Sequence, residues 1–297
     1  MERTFLCPNM KNFRNEEWSG EGRILSLSDT IFFGLVVGAF VGTAAGYLGS
    51  IMISKNMALV GDALSHVALP GLALGILFNF NPFVGAFALL ALTAIATWQI
   101  QKSTSLSMES MIGVLFVLAL AIGILITPQV ELYEALFGDI STVTFSDAII
   151  APIVSVSVVL VTKAIYDKMV LSMISRELAI SSRIKVEQIN LIYLLLVATI
   201  VAVGIKEVGT LLVGAVVIVP AVAARNISST LKGYSVMSAS FGLISAISGV
   251  ILSTYVNVPA GPLVVIVGAL IFGIGLIGIS LRSKRRKGVV SSLRQSA

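Results

Sequence analysis

The sequence has few of the residues on which soluble catalytic domains depend. Only 12% of its 297 residues are charged, and it has one cysteine, Cys7, and one histidine, His66. A single cysteine excludes an intrachain disulfide and a cysteine-based metal site. A single histidine excludes the HExxH motif of zinc proteases and gives no basis for a Ser-His-Asp catalytic set. The GxxxxGK[ST] motif is also absent, so the chain has no P-loop and we expect it not to be an enzyme.

Apolar residues are abundant and fall in long blocks. They make up 57% of the chain, and the mean hydropathy is +1.00. A helix needs about 20 apolar residues to cross a bilayer, and the strand alternation of a membrane barrel is absent. We therefore predict an all-α, multi-pass protein of the cell membrane with about nine spans, in a range of eight to ten. The apolar segments are Ile31–Ile53, Met57–Phe80, Pro82–Ile100, Met111–Thr127, Ala148–Val161, Leu191–Ile205, Val208–Ala224, Val236–Val256 and Ala260–Leu281.

Basic residues predict the orientation of these segments. Lys and Arg concentrate in the connections after the first, third, fifth and seventh segments and in the tail, "RSKRRK". Such connections are cytoplasmic, so the C-terminus is expected inside. Nine spans then place the N-terminus outside, against which the four basic residues of the first 28 argue mildly. The net charge of +5 therefore reflects membrane topology and not nucleic-acid binding.

The predicted organisation has four parts. A polar arm covers residues 1–28, a transmembrane permease domain 29–282, and a basic cytoplasmic tail 283–297. Within the domain, the longest polar interruption is 166–190, which has no Gly or Pro. Its apolar spacing predicts a short amphipathic helix at the inner membrane surface. The face of that helix would carry Leu171, Ile174, Leu178 and Ser182.

The stretch "GDALSHVALPG" at 61–71 places two polar residues inside an apolar segment. Asp62 and His66 are four residues apart, so they share one face of a helix. A carboxylate and an imidazole together suit zinc or manganese. Pro70 has no N–H and leaves the carbonyl of His66 without its helical partner. Alternatively, Asp62 is a carboxylate favoured by the helix N-terminus, and His66 is hydrogen-bonded to a neighbour.

One Asp and one His cannot fill the coordination shell of a metal. A symmetric dimer would double the set around a shared axis. The neighbouring Ser65 and Gly71 are candidates for the path or for helix packing. So are Gly209 and Pro220 in "KEVGTLLVGAVVIVPAVAARNIS", where small residues suit close helix contact.

The stretch "KNMALVGDALSHVALPGLALG" resembles the permease subunit of the ATP-binding-cassette importers for zinc, manganese and iron. Two further stretches, "VGTLLVGAVVIVPAVAAR" and "LFGDISTVTFSD", are similar to blocks of the same family, so the resemblance covers roughly residues 30–282. The positions that match the first motif are Lys55, Met57, Gly61, Asp62, Ala63, Leu64, Ser65, His66, Leu69, Pro70 and Gly71.

The resemblance implies an architecture similar to type II importers and a set of partners. These are a second permease copy, two cytoplasmic ATP-binding subunits that hydrolyse ATP, and an extracellular metal-binding protein. Asp62 and His66 would line the central path of the transported Zn²⁺ or Mn²⁺, with Fe²⁺ as a further candidate. No permanently bound cofactor is implied.

The resemblance also places an ATPase-coupling helix at "SRELAISSRI". Glu177 and Ala179 match the family pattern, whereas Ser175 and Arg176 replace its Asp-Pro and Ser182 replaces its Gly. The coupling residues expected here are therefore Arg176, Glu177, Ala179 and Ser182.

Three other functions are compatible with a polytopic chain. A permease for iron chelates or cobalamin would have similar architecture but no need for a buried carboxylate–imidazole pair. An ion-coupled secondary carrier would need no ATPase partner. An intramembrane metalloenzyme would need more catalytic residues within its spans than one Asp and one His.

Overall fold

A computed structural model describes residues 20–104, 108–126, 136–138, 143–228, 230–256 and 258–295. Those residues form helices joined by short connections and contain no strand, so the all-α prediction is confirmed for them. The helices are α1 (Gly20–Ser54), α2 (Ala58–Leu77), α3 (Pro82–Ser103), α4 (Met108–Ile126), α5 (Phe145–Ile174), α6 (Arg176–Ser181), α7 (Val186–Val208), α8 (Val213–Arg225), α9 (Leu231–Val256) and α10 (Ala260–Gln295).

Each of the nine apolar segments lies largely on a helix, although the seventh begins at the end of α7 and crosses the turn into α8. Seven described helices are long and apolar enough to cross a membrane, and the apolar parts of α4 and α8 are shorter. The fifth segment, predicted as short, belongs to the 30-residue helix α5, which continues through polar residues at its end. The count of nine spans stays a prediction. Most of the arm 1–28 and of the loop before α5 lies outside the described residues.

Several connections with few Lys or Arg residues lie together in the described structure. On one side, Gly138 and Gly209 approach each other closely, and Leu211 N donates to Leu136 O at 3.1 Å. Gly261, at the start of α10, contacts Phe137 there. The connections after the fourth, sixth and eighth segments therefore meet on this side, which we name the even side. The other side, with the connections after α1 and α5, is the odd side.

Small residues bring α1 and α9 into close contact. A Cβ added at Gly42 would lie 2.6 Å from the carbonyl oxygen of Gly242. One turn further, the Ser238 hydroxyl donates to Gly46 O at 2.5 Å, and the Ser50 hydroxyl donates to Ser235 Oγ at 2.8 Å. Helices in a bilayer gain little from apolar burial alone, so close backbone approach and hydrogen bonds between helices fasten this pair.

The prediction of one amphipathic helix in 166–190 is wrong. Helix α5 continues to Ile174, and Ser175 is extended, with φ −153° and ψ 118°. The Ser175 hydroxyl accepts from Leu178 N at 3.2 Å, so it caps the new helix α6 and interrupts the old one. Arg183 then adopts a left-handed φ of 58° and directs the chain into α7. Leu171 and Leu178 therefore lie on different helices and share no face.

Candidate functional site

The predicted pair on α2 stands out by its exposure. From Val60 to Ala73 every residue is buried except Asp62 and His66, which are partly exposed. An i, i+4 pair lies on one helix face. Helix α2 is thus packed around most of its surface, and its one opening over this stretch displays a carboxylate and an imidazole. That pattern is typical of intramembrane polar residues that face a water-filled path or a partner.

His66 has a free nitrogen. Its Nδ1 atom is buried and has no hydrogen-bond partner in the described part of the chain. The ring lies 5.2 Å from the ring of Phe116 on α4, centroid to centroid, which fixes one of its sides with an apolar contact. Buried imidazole nitrogens ordinarily have partners, so an unpartnered one is available as a metal ligand. Pro70 lies within α2 and supplies no N–H to the carbonyl of His66.

Asp62 lies against the beginning of α8. A Cβ added at Gly214 would lie 2.5 Å from Asp62 Cα and 2.8 Å from its Oδ1. Only glycine allows α8 to approach this closely. The N-terminus of a helix carries partial positive charge, which favours a carboxylate next to it. The beginning of α8 therefore influences Asp62, although it lies more than 140 residues away in sequence.

The remaining small residues of the motif serve helix packing. Ser65 is fully buried, and its hydroxyl donates to Asp62 O at 2.6 Å, within its own helix. A Cβ at Gly71 would lie 2.5 Å from Gly85 O on α3, and Pro70 contacts Gly123 on α4. Pro70 and Gly71 therefore hold α2 among its neighbours, whereas the Ser65 hydroxyl is bonded within its own helix.

Gly209 and Pro220 also have structural positions. Gly209 caps α7 with φ 83°, a conformation that favours glycine, and so makes the sharp turn into α8 possible. Pro220 is buried within α8. Gly209 thereby sets where α8 begins, and hence which residue of α8 meets Asp62.

The predicted coupling residues lie on and around α6. Ala179 is fully buried, whereas Arg176 and Glu177 are exposed, and Ser182 ends the helix. Leu178 and Ile180 are 51% and 57% exposed, so the helix presents apolar side chains to its surroundings. Arg176 lies 3.8 Å from the carboxylate of Glu187 on α7. The helix is thus anchored by one buried residue and leaves its other sides open.

Sequence reasoning missed a buried acid, Glu207, at the end of α7. Its residue exposure is 1%, and neither carboxylate oxygen has a hydrogen-bond partner among the described residues. It packs on Gly38 of α1, where an added Cβ would lie 2.5 Å from Oε1. An acidic residue inside an apolar run was the signal that could have found it.

The adjacent Lys206 has a partner. Its Nζ lies 2.5 Å from Asp147 Oδ2, and Asp147 also accepts from Thr144 at the start of α5. This ion pair lines a mostly apolar cavity of about 750 Å³ between α1, α3, α5 and α7.

The described part of one chain offers too few ligands for a complete metal shell. Among the described residues no group of three or more His, Cys, Asp or Glu side chains is placed to hold a metal ion. Zinc takes four ligands in structural sites and three protein ligands in catalytic ones. Within the described residues the pair on α2 is therefore at most part of a site, which water, backbone oxygens or a second copy would complete.

Comparisons with known proteins point to one family. The model of the ABC 3 transport family matches residues 28–279. The high-affinity zinc uptake system membrane protein ZnuB of Haemophilus influenzae is 32% identical over 254 residues, which cover 84% of this chain and 97% of that protein. The manganese transport system membrane protein MntC of Halalkalibacterium halodurans is 31% identical over 245 residues, 81% of this chain and 84% of that protein.

A solved structure also resembles this chain over most of its length. PsaBC from Streptococcus pneumoniae, in complex with Fab, contains a chain similar to this one with a TM-score of 0.74 and 27% identity. The similarity covers 86% of this chain and 94% of that chain. The sequence and fold comparisons therefore each cover more than four fifths of this chain.

Proposed function

The chain belongs to the ABC 3 transport family, and on that premise we propose that it is the membrane-spanning permease of an ATP-driven importer for zinc or manganese. The observation that carries the proposal is the exposure pattern of α2, where Asp62 and His66 alone interrupt a buried stretch. A mixed oxygen and nitrogen donor pair suits both metals, with iron as a third candidate. Relatives named for zinc and for manganese are about equally similar to this chain, so they support both cargoes.

In this function the metal is cargo and the chain supplies the path. Asp62 lowers the cost of bringing a divalent cation into a poorly hydrated region, because a carboxylate compensates its charge. His66 replaces part of the hydration shell with its free nitrogen. A second copy of the permease, related by a two-fold axis, would contribute the same pair and give two carboxylates and two imidazoles.

The partners proposed are those of an ABC importer. The chain has no P-loop, so two copies of a separate cytoplasmic subunit would hydrolyse ATP. The exposed apolar side chains of α6 support a docking role for that helix. An extracellular binding protein would deliver the metal to the even side. The odd side, rich in Lys and Arg, would be cytoplasmic together with the C-terminal tail.

The function is tested by metal uptake into proteoliposomes that contain the permease and its ATPase. We expect ATP-dependent accumulation of zinc or manganese and none of magnesium, which holds its water shell more tightly and prefers oxygen ligands. Comparing initial rates for zinc, manganese and iron identifies the cargo. Accumulation without ATP would contradict the proposal and favour a secondary carrier.

The orientation has its own test in intact cells, with Cys7 replaced by Ser. Phe145→Cys, at the exposed start of α5 on the even side, should react with an impermeant maleimide added outside. Ser181→Cys, exposed on α6, should react only after the cells are opened. The opposite labelling would place α6 outside and remove its proposed coupling role.

A further inference from the structure

Lys55 lies at an unusual place for a lysine. It occupies the three-residue connection between α1 and α2, yet it is only partly exposed. Its ammonium donates to the side-chain oxygen of Asn190 on α7 and lies 5.5 Å from the centre of the Tyr193 ring on the same helix. The Tyr193 hydroxyl in turn donates to Leu48 O on α1 at 2.8 Å. Lys55 therefore joins the odd-side ends of α1, α2 and α7.

This contact differs from an ordinary surface interaction. Burial lowers the pKa of Lys55 to about 8, so holding the charged form there costs free energy. At pH 7 the ammonium is still the major form, and one amide oxygen and one aromatic face compensate it. An exposed lysine would avoid this cost. The position is thus more constrained than a topology signal at a segment end requires.

Helix α7, which Lys55 contacts, is joined to α6 by a short hydrogen-bonded turn. Ile184 N donates to Ala179 O at 3.0 Å and Arg183 N to Ile180 O at 2.9 Å, which fold the end of α6 into the start of α7. The fully buried Ala179 anchors α6 in this arrangement. Asn190 follows one turn after α7 begins. A displacement of α6 would therefore also move Asn190, because the hydrogen-bonded segment 179–190 between them is short.

Lys55 is also joined to α2, through the turn that precedes that helix. Asn56 is left-handed with φ 56°, and Met57 N donates to Met52 O at 3.0 Å, so the connection is a tight turn with little slack. Helix α2 begins at Ala58, and Asp62 lies seven residues after Lys55. A pull on Lys55 therefore moves the end of α2 that carries Asp62 and His66.

We propose that Lys55 is a positioning residue that links the ATPase-facing helix α6, through Asn190 and Tyr193 of α7, to the metal-bearing helix α2. The inference rests on the proposed function, since it needs α6 as the docking helix and Asp62 with His66 as the metal pair. Lys55 touches neither the metal nor the ATPase. Lys55 makes α7 and α2 move together, so that a movement driven by ATP hydrolysis also displaces Asp62 and His66.

The test compares Lys55→Met and Lys55→Arg in the reconstituted permease–ATPase complex. Methionine keeps an unbranched apolar stem and removes the charge and the donors. We expect Lys55→Met to lower metal uptake about tenfold while ATP hydrolysis and zinc or manganese binding in detergent stay unchanged. Lys55→Arg keeps a charged donor and should restore most of the uptake. The control is Lys168→Met. Lys168 is exposed near the odd-side end of α5, and its replacement should leave every readout as in the wild type.

A second variant separates linkage from folding. Asn190→Leu removes the acceptor from the other helix, and it should lower the ratio of uptake to ATP hydrolysis as Lys55→Met does. The double variant should be little worse than either single one, because both remove the same contact.

Unchanged uptake in Lys55→Met would overturn the linkage, and so would loss of metal binding, which would mean that Lys55 supports the site itself. Failure of the proposed function is distinguishable. In that case even the wild-type complex would show no ATP-driven metal uptake.

Discussion

Replacing Asp62 with Asn, or His66 with Phe, is expected to lower metal uptake by more than about 100-fold. Asn keeps the shape of Asp and loses its charge, and Phe keeps the bulk of His and loses its nitrogen donors. Either change leaves a divalent cation with an incomplete shell in a place where water compensates poorly. If the two residues bind one ion, as proposed, the double variant should be little worse than either single one.

The same variants should remain folded. Removing a charge from a membrane helix makes insertion easier, and α2 keeps its packing through Pro70 and Gly71. Basal ATP hydrolysis should therefore persist. Ser65→Ala is the matched control. Among the described residues the Ser65 hydroxyl bonds the backbone of its own helix, so its loss should leave uptake nearly normal.

The deciding measurement is metal uptake per folded complex in proteoliposomes. Near-normal uptake in both single variants would mean that the metal path lies elsewhere. Loss of folded complex, with normal uptake by the part that survives, would assign the pair a structural role.

The pair on α2 could be predicted because it depends on local spacing alone. Asp62 and His66 share a face in any helix, and two polar residues inside an apolar run are conspicuous in a sequence. Their burial pattern was not predictable, since it depends on how α3, α4 and α8 cover the rest of α2. The close approach of Gly214 to Asp62 joins residues 152 apart in sequence, and no periodicity indicates it.

The errors have equally local causes. The helix break at Ser175 was missed because the apolar repeat continues across it. The break forms because the Ser175 hydroxyl caps α6, and this bond competes with the backbone bonds that would continue α5. Glu207 was missed because it stands beside Lys206 and reads as half of a charged pair. In the folded chain Lys206 pairs with Asp147 instead, and Glu207 turns toward Gly38.

Helix α6 carries the second large expected effect. Its exposed side chains form a small surface around Glu177, Leu178 and Ile180, while Ala179 fixes the helix to the permease. A coupling contact must be tight enough to follow the ATPase through its cycle, so a change of charge at its centre should disturb it. Glu177→Arg replaces an acceptor with a donor and reverses the charge that the ATPase would meet at the proposed contact.

We therefore expect Glu177→Arg to abolish metal uptake while the two permease copies still assemble and Asp62 with His66 still bind metal. ATP hydrolysis should continue but no longer respond to the metal-loaded binding protein.

Leu178→Glu should go further and weaken association with the ATPase itself, because a charge would face the apolar contact. Asp167→Lys, also exposed and near the end of α5, is the control for a charge reversal outside α6. We measure three quantities on one preparation: co-purification of the ATPase, metal uptake and ATP hydrolysis. Wild-type uptake by Glu177→Arg would mean that the coupling contact lies on another segment.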